Sequence, residues 1–90
     1  MEPIEFKPSL SECIEMLAKR AYEESLRNCL ESTEISKELQ GRIKLLRLFL
    51  ESADFSQLRA ECERWLSKGR GVKLILSLMN GKSHIKVMVE

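Results

Sequence analysis

Asn80-Gly81 lies between two runs of alternating apolar residues, Val72–Met79 and Lys82–Val89, and no other local feature constrains this chain as strongly. Asn-Gly favours the two-residue type I′ turn, in which both central residues take positive φ and the backbone twist matches that of the flanking strands. The turn also sets the register. With Met79 opposite Lys82, the residues Val72, Leu74, Leu76 and Leu78 stand opposite Val89, Val87, Ile85 and Ser83, so one face of the hairpin is almost wholly apolar. The other face pairs Lys73 with Met88, Ile75 with Lys86, Ser77 with His84 and Met79 with Lys82, and is mixed and basic.

A two-stranded hairpin is marginal alone and presents two unpaired edges. Residues 3–8 alternate like a short strand around Ile4, Glu5 and Phe6, and the prolines at positions 3 and 8 confine such a strand to an edge. The other solution is edge-to-edge pairing of two copies about a two-fold axis.

Helical signals occupy the chain between these segments. Ser9 with Glu12 three residues later reads as a capping box, which predicts a first helix over about 9–31 with Leu10, Cys13, Ile14, Leu17 and Ala21 on one side. Past the polar break Ser32-Thr33, a stripe of Ile35, Leu39, Ile43, Leu46 and Leu50, widened by Leu45, Leu48 and Phe49, predicts a central second helix over 34–52. Gly41 interrupts that pattern at a cost of about 1 kcal/mol relative to Ala. Asp54, with Gln57 three residues on, caps a third helix over 54–68 whose apolar side is Phe55, Leu58, Cys62, Trp65 and Leu66, and Gly69 suits its left-handed exit.

The expected fold is therefore α+β: three helices packed on a C-terminal antiparallel hairpin (72–79, 82–89), with a candidate N-terminal edge strand, in a single domain over 1–90. In element order alone, three helices followed by a hairpin resembles winged-helix domains, although the second helix is about twice the usual length and no recognition-helix pattern of exposed polar residues is present.

Chemistry-bearing residues are few. One histidine precludes a multi-His metal site within the chain, and Cys13, Cys29 and Cys62 lack zinc-ligand spacing and fall on apolar helix positions, where thiols act as small hydrophobes. Gly81-Lys82-Ser83 looks like the end of a phosphate-binding loop, but Leu76 occupies the position where that motif needs its first glycine. Neither a catalytic constellation nor a cofactor motif is present, so a non-enzymatic role without cofactors is expected.

Charge is more informative resolved along the chain than summed. The net charge of +1 cancels nine Lys/Arg against thirteen Asp/Glu in residues 1–63 and six Lys/Arg against Glu90 alone in residues 64–90. The basic part places Arg70, Lys73, Lys82, His84 and Lys86, interleaved with Ile75, Met79 and Met88, on or beside the outer hairpin face, which is the candidate interaction surface. Two functions fit it: a protein-interaction module that forms a homodimer through the hairpin, or a nucleic-acid-binding protein using the basic C-terminal third. An N-terminus without a basic start and apolar centre, an odd cysteine count and the lack of a long apolar stretch make a cytoplasmic protein with no membrane partner the expectation.

Overall fold

A computed structural model describes residues 2–90. Its elements run β1 (Ile4–Phe6), α1 (Ile14–Glu31), α2 (Lys37–Ser52), α3 (Phe55–Leu66), β2 (Val72–Met79) and β3 (Lys82–Val89). The α+β architecture is the one the sequence pattern specifies, and the hairpin bounds agree residue for residue. Asn80 has φ 53° and Gly81 φ 76°, the two positive values a type I′ turn requires. All eight pairs from Met79–Lys82 to Val72–Val89 are in the expected register.

Residues 4–6 do form the third strand. It pairs antiparallel with β2, Ile4 opposite Leu76 and Phe6 opposite Leu74, giving a sheet of order β1-β2-β3. β2 is thus central. The side chains of Ile4, Phe6, Val72, Leu74 and Leu76 on its inner face are buried against Ile14, Ala18, Leu45, Leu46, Phe49, Leu58 and Cys62 from the three helices. Phe49 and Phe55 meet edge to face with ring centroids 5.2 Å apart, which joins α2 to the start of α3.

Two helix starts differ from expectation for identifiable reasons. Around Ser9, the Glu12 N–H does donate to Ser9 Oγ at 3.0 Å, but the Ser9 N–H donates to the Glu12 carbonyl at 2.9 Å, and the Glu12 carboxylate turns to Arg20 at 2.8 Å. The box closes a separate turn, α1 begins at Ile14, and Leu10 is left 67% exposed instead of joining the core. In α2, Ser36 rather than the 32–33 break is the cap, its Oγ accepting the Leu39 N–H at 3.0 Å. Ile35 therefore lies outside the helix and exposed, and burial centres on Leu45, Leu46 and Phe49. The helix runs through Gly41 unbroken. Asp54 caps α3 as expected, accepting the Gln57 N–H at 3.1 Å, and the exit falls at Gly69 with φ 78°.

On the exposed side of α1, Lys19 reaches Glu15 one turn before it at 3.9 Å. Farther along α1, Ser25 Oγ donates to the Ala21 carbonyl at 2.8 Å and accepts from Arg42 Nε at 3.3 Å, a polar tie between α1 and α2. No helix among the described residues is long and apolar enough to cross a membrane.

Candidate functional site

The candidate surface has two parts, an edge and a face. At the open end of the hairpin the Glu90 N–H donates to the Gly71 carbonyl at 2.8 Å, so residues 71 and 90 form a hydrogen-bonded pair. Antiparallel pairing alternates, so 73/88, 75/86, 77/84 and 79/82 are also hydrogen-bonded pairs, whereas the N–H and C=O groups of 72/89, 74/87, 76/85 and 78/83 point away from each other. On β2 those outward groups meet β1. On β3 the backbone groups of Ser83, Ile85, Val87 and Val89 have no further strand to meet, because β3 is the end of the sheet.

The two sheet edges are unlike. β1 offers only three residues and has Pro3 and Pro8 close on either side, which blunts that edge. β3 offers eight residues and no proline. Its inward side chains, Ser83, Ile85, Val87 and Val89, are half-buried under the helices, and Ser83 Oγ lies 3.2 Å from Ser52 Oγ at the end of α2.

The outer face carries the residues singled out from sequence. Ile75 and Lys73 are half-buried on the central strand, while Met79, Lys82, His84, Lys86 and Met88 are exposed, with Met79 at 54% and Met88 at 40%. All three helices pack on the opposite face. The structure divides the cations, however. Lys73 Nζ lies 3.4 Å from the Glu5 carboxylate, because the β1 register puts Glu5 across from Ile75, next to Lys73 on the same face. Arg70 stands at the sheet end with Nε donating to the Glu90 carbonyl at 2.7 Å. Lys82, His84 and Lys86 make no ion pair among the described residues, so β3 holds the unneutralised part of the face.

Sequence reasoning did not foresee the setting of Trp65. Its ring is half-buried at the core margin and has three cations around it: Arg64 at 4.9 Å, Lys68 at 5.3 Å and Arg70 at 6.0 Å from the ring centroid. Such contacts hold the flexible basic side chains against an apolar plate. The i+3 spacing of Lys68 from Trp65 on a helix was the available signal for one of them. Glu5 was equally readable, since its outward position follows once residues 4–6 form a strand.

Away from the sheet, a groove of about 250 Å³ lies between residues 8–16 and α3, and its lining includes Cys13, Cys62, Arg59 and Glu63. Burial, and then the Glu61 and Glu63 carboxylates, push the Cys62 thiol up from its ordinary value, which keeps it protonated and a poor nucleophile. Arg59 is closed on Glu63 at 3.1 Å, and the hydrogen bond to that carboxylate raises the guanidinium further. Among the described residues no group of three His, Cys, Asp or Glu is placed to hold a metal ion.

A protein-family model matches residues 3–89, a span that takes in every element from β1 to β3. The chain belongs to that family. No curated protein and no solved structure matches the chain.

Proposed function

We propose that this protein is a non-enzymatic interaction module whose first partner is a second copy of itself, joined by pairing β3 with the partner's β3 about a two-fold axis. The contrast between the edges carries this reading: one is three residues long between prolines, the other eight residues long with its outward backbone groups unpaired. A long free edge is an open template for another strand. Lys82 and Lys86 leave it sterically open, since their side chains stand perpendicular to the plane in which the backbone groups point.

Hydrogen-bond parity allows pairings centred on Ile85, Lys86 or Val87. Centring on Lys86 gives the longest overlap, residues 82–90. The narrow pairs are then Ile85 with the partner's Val87 and Ser83 with the partner's Val89, each formed twice, for about eight backbone hydrogen bonds. Ile85 and Val87 continue the apolar inner face across the seam, and Lys82 meets the partner's Glu90 at both ends. The product is a six-stranded sheet with helices on one side.

At a net value of about 0.5–1.5 kcal/mol each, eight bonds are worth about 4–12 kcal/mol. The loss of translational and rotational freedom is of similar size, so the surplus places the dimer in the micromolar range or weaker. The test is molar mass by light scattering with amide hydrogen exchange, from about 1 µM to about 1 mM, bracketing association free energies of about 8 and 4 kcal/mol. Mass should rise from 10.4 kDa toward twice that, with the amides of Ile85, Val87 and Val89 becoming protected in step. A mass of 10.4 kDa throughout refutes the reading.

A further inference from the structure

The edge pairing has an electrostatic consequence for the outer face. Within one chain, His84 and Lys86 are two residues apart on the same side of β3, about 7 Å along the strand. Pairing about Lys86 sets the two copies of that lysine directly across the axis, with the His84 of each copy next to it. Like charges directly opposite in a sheet are unfavourable. Neither lysine has a carboxylate to relieve it, because Glu5, the carboxylate that neutralises the face, is two strands away on Lys73. The seam thus joins four basic side chains into a patch that a monomer holds only in half, with each Lys82 beyond it set against the partner's Glu90. Residues 1–63, which take in β1, α1, α2 and most of α3, carry an excess of four acidic groups, so a polyanion is steered to the sheet side.

We infer that this seam, which exists only if the β3 edges pair as proposed above, binds the phosphodiester backbone of nucleic acid across the two-fold axis. The outward residues of the strand suit that ligand: His84 and Lys86, alternate residues about 7 Å apart, stand at twice the axial step of about 3.4 Å per phosphate in one strand of a duplex. The face offers Ile75, Met79 and Met88 but no aromatic ring on which a base stacks. Binding is therefore to the backbone, without sequence preference and with strong salt dependence. Phosphates seated on the two lysines relieve their repulsion, so nucleic acid and self-association reinforce one another by the same factor.

This makes Lys86→Ala diagnostic, because the two equilibria move in opposite directions. Removing the opposed charges tightens the bare dimer, whereas binding of a labelled single-stranded oligonucleotide by fluorescence anisotropy weakens at least about tenfold at low salt. The slope of log affinity against log salt falls by about 1.4, the contribution of two phosphates at 0.7 each. The wild-type chain should also dimerise at lower concentration when the oligonucleotide is present. A wild-type dimer that ignores single-stranded and duplex oligonucleotide at low salt overturns this inference and leaves the dimer standing. A chain that stays monomeric with and without oligonucleotide overturns the dimer, and the seam with it. Binding to poly-glutamate or to anionic vesicles with none to the oligonucleotide assigns the face to another anion and refutes the nucleic-acid site, as does oligonucleotide binding that Lys86→Ala leaves unchanged.

Discussion

Proline at two neighbouring positions of β3 separates the edge from the fold. The Val87 N–H points out of the sheet, while the Lys86 N–H points into the ladder toward Ile75. In a dimer paired on any of the three registers, Val87→Pro removes one edge donor per copy, two in all, and puts a ring carbon where each N–H stood. Two bonds at about 0.5–1.5 kcal/mol, with two carbonyls left unpaired, amount to about 2–4 kcal/mol. That is about a thirty-fold to thousand-fold weakening of the dimer. The monomer should feel little, because an edge strand tolerates proline where its N–H faces solvent, and the ring keeps part of the half-buried Val87 contact. Lys86→Pro should do the reverse, removing a β2–β3 ladder bond and leaving the Ile75 carbonyl unpaired, at a cost to the fold of about 1–3 kcal/mol. At about 4–8 °C per kcal/mol for a domain of this size, its melting temperature falls by about 4–24 °C. The assays are sedimentation for the dimer and thermal unfolding at a concentration where both variants are monomeric. If Val87→Pro melts as low as Lys86→Pro, the assignment of inward and outward amides is wrong. If it melts normally and self-associates like the wild type, the β3 edge is not the interface.

Other outcomes follow from the core and from the thiols. Leu46 is fully buried, so Leu46→Ala should cost about 2–5 kcal/mol out of a total of about 5–13, lowering the melting temperature by at least about 10 °C by calorimetry. A shift of only a few degrees would show that α2 does not hold the centre of the core. Iodoacetamide should label Cys13 and Cys29, both half-buried, before the buried Cys62, followed by peptide mass mapping, and equal rates at all three would contradict the raised Cys62 thiol. Because the folded chain holds the Cys62 proton more tightly than the unfolded chain, its stabilising contribution is present below the ordinary thiol range. It is lost as pH rises through the raised folded value. In Cys62→Ala, the alkaline decline in denaturant midpoint should be smaller than in the wild type.

What the sequence determined by itself is what local interactions set. The Asn80-Gly81 turn has one favourable geometry, and it fixes eight strand pairs and the two faces of the hairpin without reference to anything distant. The Asp54 cap and the Gly69 exit are equally local. The candidate surface was legible to the same extent: Lys82, His84 and Lys86 share a face because a strand alternates. Where a local signal had a competing partner, only the folded chain resolved it. The Ser9 box closed a separate turn once Glu12 found Arg20 a further two turns along, so α1 starts at Ile14 and Leu10 left the core.

Tertiary structure alone decided which edge is free. Residues 4–6 had a choice of β2 or β3 that their own alternation does not encode. They joined β2 because that buries Ile4 and Phe6 beside Leu74 and Leu76 on the helix-covered face. The same choice brought Glu5 to Lys73, which cancels one cation of the outer face and leaves those of β3 unpaired beside an open edge.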